Sequence, residues 1–224
     1  MQASNIDYST INFFEQNLQV KNLIDATERE KAHLLRHKIF VHELRWVPPH
    51  ISGLEIDSYD GEGMVPLGLL DQTGRLIAHL RVTLPQRIFM MEKEFAALIE
   101  TPINKTKSTV EVSRVCTEAD ARGMRITTPF GIFFISMLLY KGLYHWCCQN
   151  FINDMCMVIE SKLARLLTMA GFPCRKLGKP VIMPDGVSAV AVRVDWREFY
   201  SVNQYSKPQL LDWFNSVDSM KKAA

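Results

Sequence analysis

The stretch Met155-Cys-Met-Val-Ile-Glu-Ser-Lys-Leu-Ala-Arg-Leu-Leu-Thr-Met-Ala-Gly171 decides the fold class. Met155 to Ile159 is a short apolar run of strand length. Ser161 to Ala170 then spaces its apolar side chains as an amphipathic helix does, and Gly171 supplies a C-terminal stop. Upstream, Thr109 to Cys116 reads as another strand. Thr128-Pro129 offers an N-cap followed by proline at the first helical position, which predicts a long apolar helix to about Cys148. Downstream, Val181 to Gly186 and Ser188 to Trp196 read as a late hairpin. Strand and helix therefore alternate through the second half of the chain. This predicts an α/β fold, or an α+β three-layer sandwich, around one mixed sheet.

The first half adds a helix and a meander. Thr27-Glu-Arg-Glu30 fits a capping box and opens a helix to about His42, which Trp46-Val-Pro-Pro49 ends. An acidic loop carries Glu55, Asp57, Asp60 and Glu62. Val65 to Leu70 and Leu76 to Thr83 flank Asp71-Gln-Thr-Gly74 and predict a hairpin. Glu92 to Glu100 reads as a short helix. Residues 1–20 are polar with scattered aromatics and read as an N-terminal arm. Residues 21–205 read as the domain, and 206–224 as a C-terminal tail, helical from Pro208 to Met220.

Composition narrows the function. The chain has 224 residues, 47% hydrophobic and 22% charged, enough for one self-sufficient core. A net charge of +2 gives no basic field for nucleic acid. The most apolar run, Phe130 to Tyr140, is about eleven residues, too short to span a bilayer. The N-terminal sequence lacks the basic and apolar regions of a secretion signal, so a cytoplasmic protein is expected. Five cysteines with no C-x-x-C read as reduced thiols, and six scattered histidines predict no metal site.

Glu111-Val-Ser-Arg114 is the most unusual strand sequence. Strict alternation puts Glu111 and Ser113 on one face and Arg114 on the other, whereas a bulge or strand end brings Glu111 and Arg114 to a common cleft. Charges on a central strand need partners, because burying an unpaired charge is costly. Asp57, Asp60 and Arg81 are the candidates. Arg36, Asp57, Asp60, Arg81, Glu111 and Arg114 make three acids and three bases. Such a set is either a self-satisfied structural network or the lining of a pocket for a ligand bearing both ammonium and carboxylate. Arg36 and Phe40, four apart, share one helical face.

These residues, in this order, resemble the acyl-homoserine-lactone synthases, the LuxI-type autoinducer synthases. The pattern is Arg36-x3-Phe40-x5-Trp46, then Asp57-x2-Asp60, then Arg81, then Glu111-Val-Ser-Arg114. Each element alone is weak, and the ordered set is specific. It covers residues from about 22 to 200. The resemblance implies a splayed mixed sheet flanked by helices, similar to GCN5-related N-acyltransferases. It also implies synthesis of a quorum-sensing signal from S-adenosylmethionine, used as substrate, and an acyl thioester on acyl-carrier protein or coenzyme A, with methylthioadenosine as by-product. No cofactor is implied.

Roles follow from that resemblance. Glu111 either takes the proton of the attacking amine or only orients the ligand. Ser113 helps orient the acyl head and Arg114 braces carboxylates. Arg36, Asp57, Asp60 and Arg81 bind the amino-acid part of S-adenosylmethionine, with Arg36 meeting its carboxylate or the acidic loop, and Asp57 and Asp60 its ammonium or Arg36 and Arg81. Phe40 and Trp46 close over the adenosyl group and face the sulfonium with their π-clouds. The acyl channel is assigned to Phe130, Phe133, Met137, Met157 and Ile159. Cys156-Met-Val-Ile159 has no hydroxyl, which favours an acyl chain unsubstituted at C3, while bulky Met and Phe would instead favour a short or branched one. An acidic carrier protein would dock on Lys162, Arg165, Arg175, Lys176 and Lys179, a patch that also suits coenzyme A phosphates. Two alternatives compete. A GCN5-type N-acetyltransferase would carry a glycine-rich pyrophosphate loop after the central strand, but Thr117 to Met124 has one glycine and two acids. A non-catalytic ligand sensor would not need the complete charged set.

Overall fold

The computed structural model describes residues 8–216. One nine-stranded sheet runs through the molecule. Its strands are β1 (Asn12–Glu15), β2 (Leu18–Asn22), β3 (Met64–Leu70), β4 (Leu76–Thr83), β5 (Thr109–Thr117), β8 (Asp154–Glu160), β11 (Ser188–Asp195) and β10 (Val181–Ile182), in that order across the sheet. β9 (Arg175–Lys176) also pairs β11. β6 (Arg125–Thr128) and β7 (Gly131–Phe134) form a separate hairpin. All the main-sheet pairings are antiparallel except β5 with β8. The fold is therefore α/β with a mixed sheet. Among the described residues no helix is long and apolar enough to cross a membrane.

The two faces of the sheet carry different loads. Met155, Met157 and Ile159 of β8 join Val110 and Val112 of β5 in the main core, with α3 (Ile135–Gln149), α4 (Ser161–Ala170), α5 (Trp196–Ser206) and α6 (Pro208–Asn215). The opposite face holds two smaller clusters. One places Ala32 and Leu35 of α1 (Ala26–Arg36) and the π-helical turn His37–Glu43 against Leu70, Leu76 and Cys116. The other packs Phe89, Met91, Leu98 and Ile103 against Cys156, Ala189 and Ala191. The polar residues of β4 and β5 open between these two.

The mixed pairing splits at a definite residue. Thr109, Val110 and Glu111 pair with Asp154, Met155 and Cys156. Beyond Glu111, β5 pairs with β4 alone, while β8 from Met157 onward pairs with β11 alone. The V-shaped gap expected of this fold thus begins directly after Glu111.

Several expected elements hold and others move. The β3–β4 hairpin and β5 fall where the sequence placed them, and α4 ends at Gly171 in the left-handed region (φ 111°). The first helix is capped two residues earlier than Thr27, by Asp25, whose side chain accepts from Glu28 N at 2.8 Å. The long helix does not start at Pro129. Gly131 (φ 137°) lets the chain reverse, Thr128 Oγ1 donates to Gly131 O at 3.0 Å, and β6–β7 forms instead. Helix α3 begins only at Ile135. Glu92–Glu100 is not one helix but a short α2 (Met90–Lys93) followed by a 3-10 turn at Ala96–Leu98. The expected tail helix forms as α6 from Pro208 to Asn215, and positions 217–220 lie outside the described residues.

Residues 12–20, expected to be part of an arm, belong to the sheet. β1 and β2 extend its edge, with Val20 opposite Leu69. Gly142 makes this possible, since a Cβ there would sit 2.3 Å from Val20 Cγ1. A buried ion pair ties the same hairpin to the rest. Lys141 Nζ donates to Glu15 Oε2 at 2.6 Å and to Ser216 Oγ at 3.1 Å, and Trp213 Nε1 donates to Glu15 Oε1 at 3.0 Å.

Candidate active site

Three arginines from three elements meet the acidic loop. Arg36 closes α1 with its side chain 1% exposed. Its Nε donates to Glu55 Oε2 at 2.5 Å, and Nη1 and Nη2 donate to the two oxygens of Asp60 at 2.7 and 2.8 Å. From β4, Arg81 Nη1 donates to Asp57 Oδ1 at 2.6 Å and Asp60 Oδ1 at 2.9 Å, while Nε donates to Ser113 Oγ at 3.0 Å. From β5, Arg114 Nε and Nη2 donate to Glu55 Oε1 at 3.0 and 2.9 Å, and Nη2 lies 2.7 Å from Asp57 Oδ2. The loop is wound about its own carboxylates: Tyr59 N donates to Asp57 Oδ1 and Asp57 N to Asp60 Oδ2, both at 2.8 Å. Forked arginine–carboxylate pairs of this kind fix geometry as well as charge.

A bulge brings Arg114 to this face. Arg81 stands opposite Ser113 but His79 stands opposite Cys116, so β5 spends an extra residue there. Arg114 takes it up in the left-handed region, at φ 53°. That conformation is uncommon for a side-chain-bearing residue and costs on the order of 1–3 kcal/mol, which its ion pairs offset. Of the two arrangements allowed by the sequence, the bulge is the one present.

The neutral set of three acids and three bases also exists, with one substitution. Glu55, not Glu111, is the third acid of the closed network. Glu55 is buried and bridges Arg36 and Arg114, and the sequence reading passed it over. Its signal was its place two residues before Asp57 in the acidic loop. Asp60 is pushed up by burial, but the bonds and charges of Arg36 and Arg81 outweigh this and hold it well below the usual carboxylate range. Burial would lower Arg36, yet Asp60 and Glu55 raise it further into the always-charged range.

Glu111 is left as the surplus carboxylate. It is 2% exposed. Its oxygens accept from Met90 N at 2.6 Å and Met91 N at 2.7 Å, the first two residues of α2. Burial raises it, the two amides and Arg81 oppose that rise, and the balance lies at about 7. A carboxyl poised there exchanges protons at neutral pH.

The neighbouring groups are arranged around this pair of features. Phe40 is buried, its ring centre 5.5 Å from the Arg114 guanidinium carbon and 6.1 Å from the ring of Trp46, which is 45% exposed. Arg81 Nη2 and Thr83 Oγ1 are buried without a hydrogen-bond partner. Thr83 is the cross-strand partner of Glu111 and lines an open cleft of about 430 Å³ with Tyr59, Gly63, Arg87 and Lys93. Unpaired polar atoms beside a cleft mark where a ligand would bond.

The remaining expected residues fall in two other places. Met137, Met157 and Ile159 lie together in the main core on the far face of the sheet, and Phe130 and Phe133 pack half-buried against it. Phe130 and Phe133 come from the β6–β7 hairpin rather than from the helix, and Phe133 stacks on Trp213 with ring centres 4.0 Å apart. Lys162 and Arg165 are exposed on α4, and Arg175, Lys176 and Lys179 are exposed nearby. Arg175 is engaged by Glu198 at 2.6 and 2.9 Å, so it is the least available cation of that patch.

A family model described as Autoinducer synthase matches residues 20–202. An acyl-homoserine-lactone synthase of Vibrio anguillarum is 27% identical over 175 residues, covering 75% of this chain and 88% of that one. One from Rhizobium radiobacter is 26% identical over 167 residues, covering 71% and 74%. Among solved structures, the AHL synthase LasI superposes with a TM-score of 0.70 at 18% identity, over 88% and 96% of the two chains. BjaI, a CoA-dependent acyl-homoserine lactone synthase solved with SAM and isopentyl-CoA, gives 0.67 at 22% identity, over 88% and 89%. An N-acetyltransferase from Lactobacillus plantarum gives 0.55 at 18% identity, over 80% and 97%. These structural likenesses carry the same sheet architecture into the acetyltransferases.

Proposed function

The chain belongs to the autoinducer synthase family, and from that premise we propose that it makes an acyl-homoserine lactone from S-adenosylmethionine and an acyl thioester. One observation carries the reading. A buried carboxyl with its proton affinity near neutrality stands where the sheet splits, next to an arginine–carboxylate cluster that has polar atoms to spare.

The reaction has two bond-forming steps. The amine of S-adenosylmethionine attacks the thioester carbon, the carbonyl oxygen takes up negative charge, and collapse expels the thiol. The amine must lose a proton, and Glu111 is assigned to receive it, a role typically worth about 10²–10⁴-fold. The β5 backbone beyond Glu111 has no β8 partner, so its polar groups are available to the thioester in the gap. The methionine carboxylate then attacks its own γ-carbon. The sulfur–carbon bond breaks, and methylthioadenosine leaves neutral. That step needs folding of the substrate more than acid catalysis, which suits a rigid ionic cradle.

In this reading Arg81 Nη2 and Thr83 Oγ1 contact the amino-acid portion, with Arg36, Asp57 and Asp60 holding Arg81 and the loop in place. Phe40 and Trp46 face the sulfonium. Ser113, oriented by Arg81, stands at the acyl head, and Arg114 braces Glu55 and Asp57. Met137, Met157, Ile159, Phe130 and Phe133 are proposed to admit the acyl chain, and the α4 patch to receive the donor, acyl-carrier protein or acyl-coenzyme A. Both substrates are cytoplasmic metabolites, so the enzyme is placed there.

Mass spectrometry of spent medium from cells expressing the chain tests the reading. A homoserine lactone whose mass reports the acyl group is expected. Medium with no such lactone, from cells containing folded protein, would overturn it.

A further inference from the structure

The two amides that hold Glu111 belong to a helix of only four residues, Met90–Lys93, too short to stand by itself. Its geometry is imposed from outside. Phe89 N donates to Glu92 Oε2 at 2.7 Å, closing the first turn. Lys105, on the following loop, donates through Nζ to the same Glu92 oxygen at 2.9 Å and to Arg87 O at 2.5 Å, and sits 3.7 Å from the centre of the Phe89 ring. One ammonium thus grips the carbonyl before the turn, the aromatic ring at its start and the carboxylate within it.

The loop carrying Lys105 is itself fixed. Ile103 is buried, and its carbonyl accepts from Arg193 Nη1 at 3.2 Å. Arg193 Nη2 pairs with the buried Asp154 at 2.9 Å, on the strand that pairs with β5 up to Glu111. The turn also reaches the other side of the site, where Arg114 Nη1 approaches Met90 Sδ at 3.5 Å.

We infer that Lys105 and Glu92 are positioning residues for the proposed synthase reaction, fixing the Phe89–Lys93 turn so that its first two amides aim at the Glu111 carboxylate. Neither residue touches the reacting atoms. The inference rests on the assignment of Glu111 made above, and its test separates from it.

The ionisable groups facing Glu111 are Arg81 on β4, Glu92 on α2, Tyr59 in the acidic loop and Cys156 on β8. Glu92 supplies the sign that decides. Its negative charge raises the Glu111 proton affinity through space, so removing it by Glu92→Ala lowers the Glu111 midpoint if charge is all that matters. If Glu92 holds the turn, its removal loosens two amide bonds to the ionised form, and the midpoint rises.

Two readouts need no turnover: the carboxyl carbon of Glu111 followed by NMR across pH, and amide exchange at Met90 and Met91. For Glu92→Ala and Lys105→Met we expect exchange at these two amides at least tenfold faster and a Glu111 midpoint above its wild-type value, with Lys105→Arg restoring both. The acid limb of kcat/KM for lactone formation should move the same way. If Lys105→Met melts early, Glu92→Ala, which leaves Lys105 on the Phe89 ring, decides alone. A falling midpoint, or unchanged exchange in Glu92→Ala, overturns the inference even if wild-type protein makes lactone. Wild-type protein that makes none, with the midpoints shifting as expected, overturns the proposed function and leaves the positioning standing.

Discussion

Two of the places where the described residues bury ionic groups, the sheet edge and the splayed centre, are built to different rules. At the sheet edge, Lys141 and Glu15 are bonded to each other and to Ser216 and Trp213, and both Glu15 oxygens are engaged. At the sheet's splayed centre, three arginines and three carboxylates balance in charge, each arginine bridging two carboxylates. Yet Arg81 Nη2 and Thr83 Oγ1 lack partners, and Glu111 adds a fourth carboxylate with no arginine bonded to it. The first arrangement joins the N-terminal hairpin and the last helix to α3. The second keeps bonding capacity unspent at a cost in stability, which is what a binding site requires.

That contrast can be broken in order of expected effect. Glu111→Gln should reduce kcat/KM for lactone formation by about 10²–10⁴-fold. Thermal melting should stay cooperative, with a midpoint near neutral pH no lower than that of the wild type. Lys141→Met should do the reverse, costing about 3–5 kcal/mol of folding free energy by stranding Glu15, with the folded fraction still active. Adding Glu15→Gln should restore much of that loss, since removing both charges removes the stranded one. Denaturant titrations read both.

Stability should also depend on pH with opposite signs at Asp60 and Glu111. Asp60 is held below its ordinary value, so its contribution is present above about pH 4 and lost as pH falls toward its folded-state value. Glu111 has the opposite sign. Its folded-state affinity, about 7, exceeds the ordinary carboxylate value, so the folded state loses stability as pH rises from about 4 to 7. Unfolding free energy should climb out of acid and then sag toward neutrality, and Glu111→Gln should abolish the sag. The smallest effect is expected from Thr83→Val. Replacing an unpartnered hydroxyl by a methyl should leave folding unharmed, while KM for S-adenosylmethionine rises about 2–10-fold, the worth of one hydrogen bond.

Much of this architecture was written in local sequence, and the exceptions have physical causes. The β3–β4 hairpin, β5 and the Gly171 stop rest on short-range signals that tertiary contacts did not override. The Thr128-Pro129 signal failed because Gly131 next to it permits a reversal that a helix start does not need. Residues 12–20 looked like part of an arm because strands of four and five residues carry little periodicity. Their place becomes evident only once Gly142 lets α3 approach Val20.

The site shows the same division. Residue types and order identified Arg36, Asp57, Asp60, Arg81, Glu111 and Arg114, and the structure brings them to one face. Sequence could not assign the bonds. Glu55 replaced Glu111 in the closed network because an extra residue in β5 turns Arg114 toward the loop, where Glu55 is within reach. The amides of Met90 and Met91 were invisible for a simpler reason: every residue has one, and only the fold selects which two meet a carboxylate.

The unsaturated cluster, with Glu111 beside it, is proposed to join an acyl group to S-adenosylmethionine. Purified protein incubated with S-adenosylmethionine and a series of acyl thioesters, on coenzyme A and on carrier protein, tests it directly by mass spectrometry. Acyl-homoserine lactone and methylthioadenosine should appear in equal amounts, and both should nearly vanish with Glu111→Gln. Folded wild-type protein that yields neither from any thioester, or Glu111→Gln that yields both at the wild-type rate, would contradict the account.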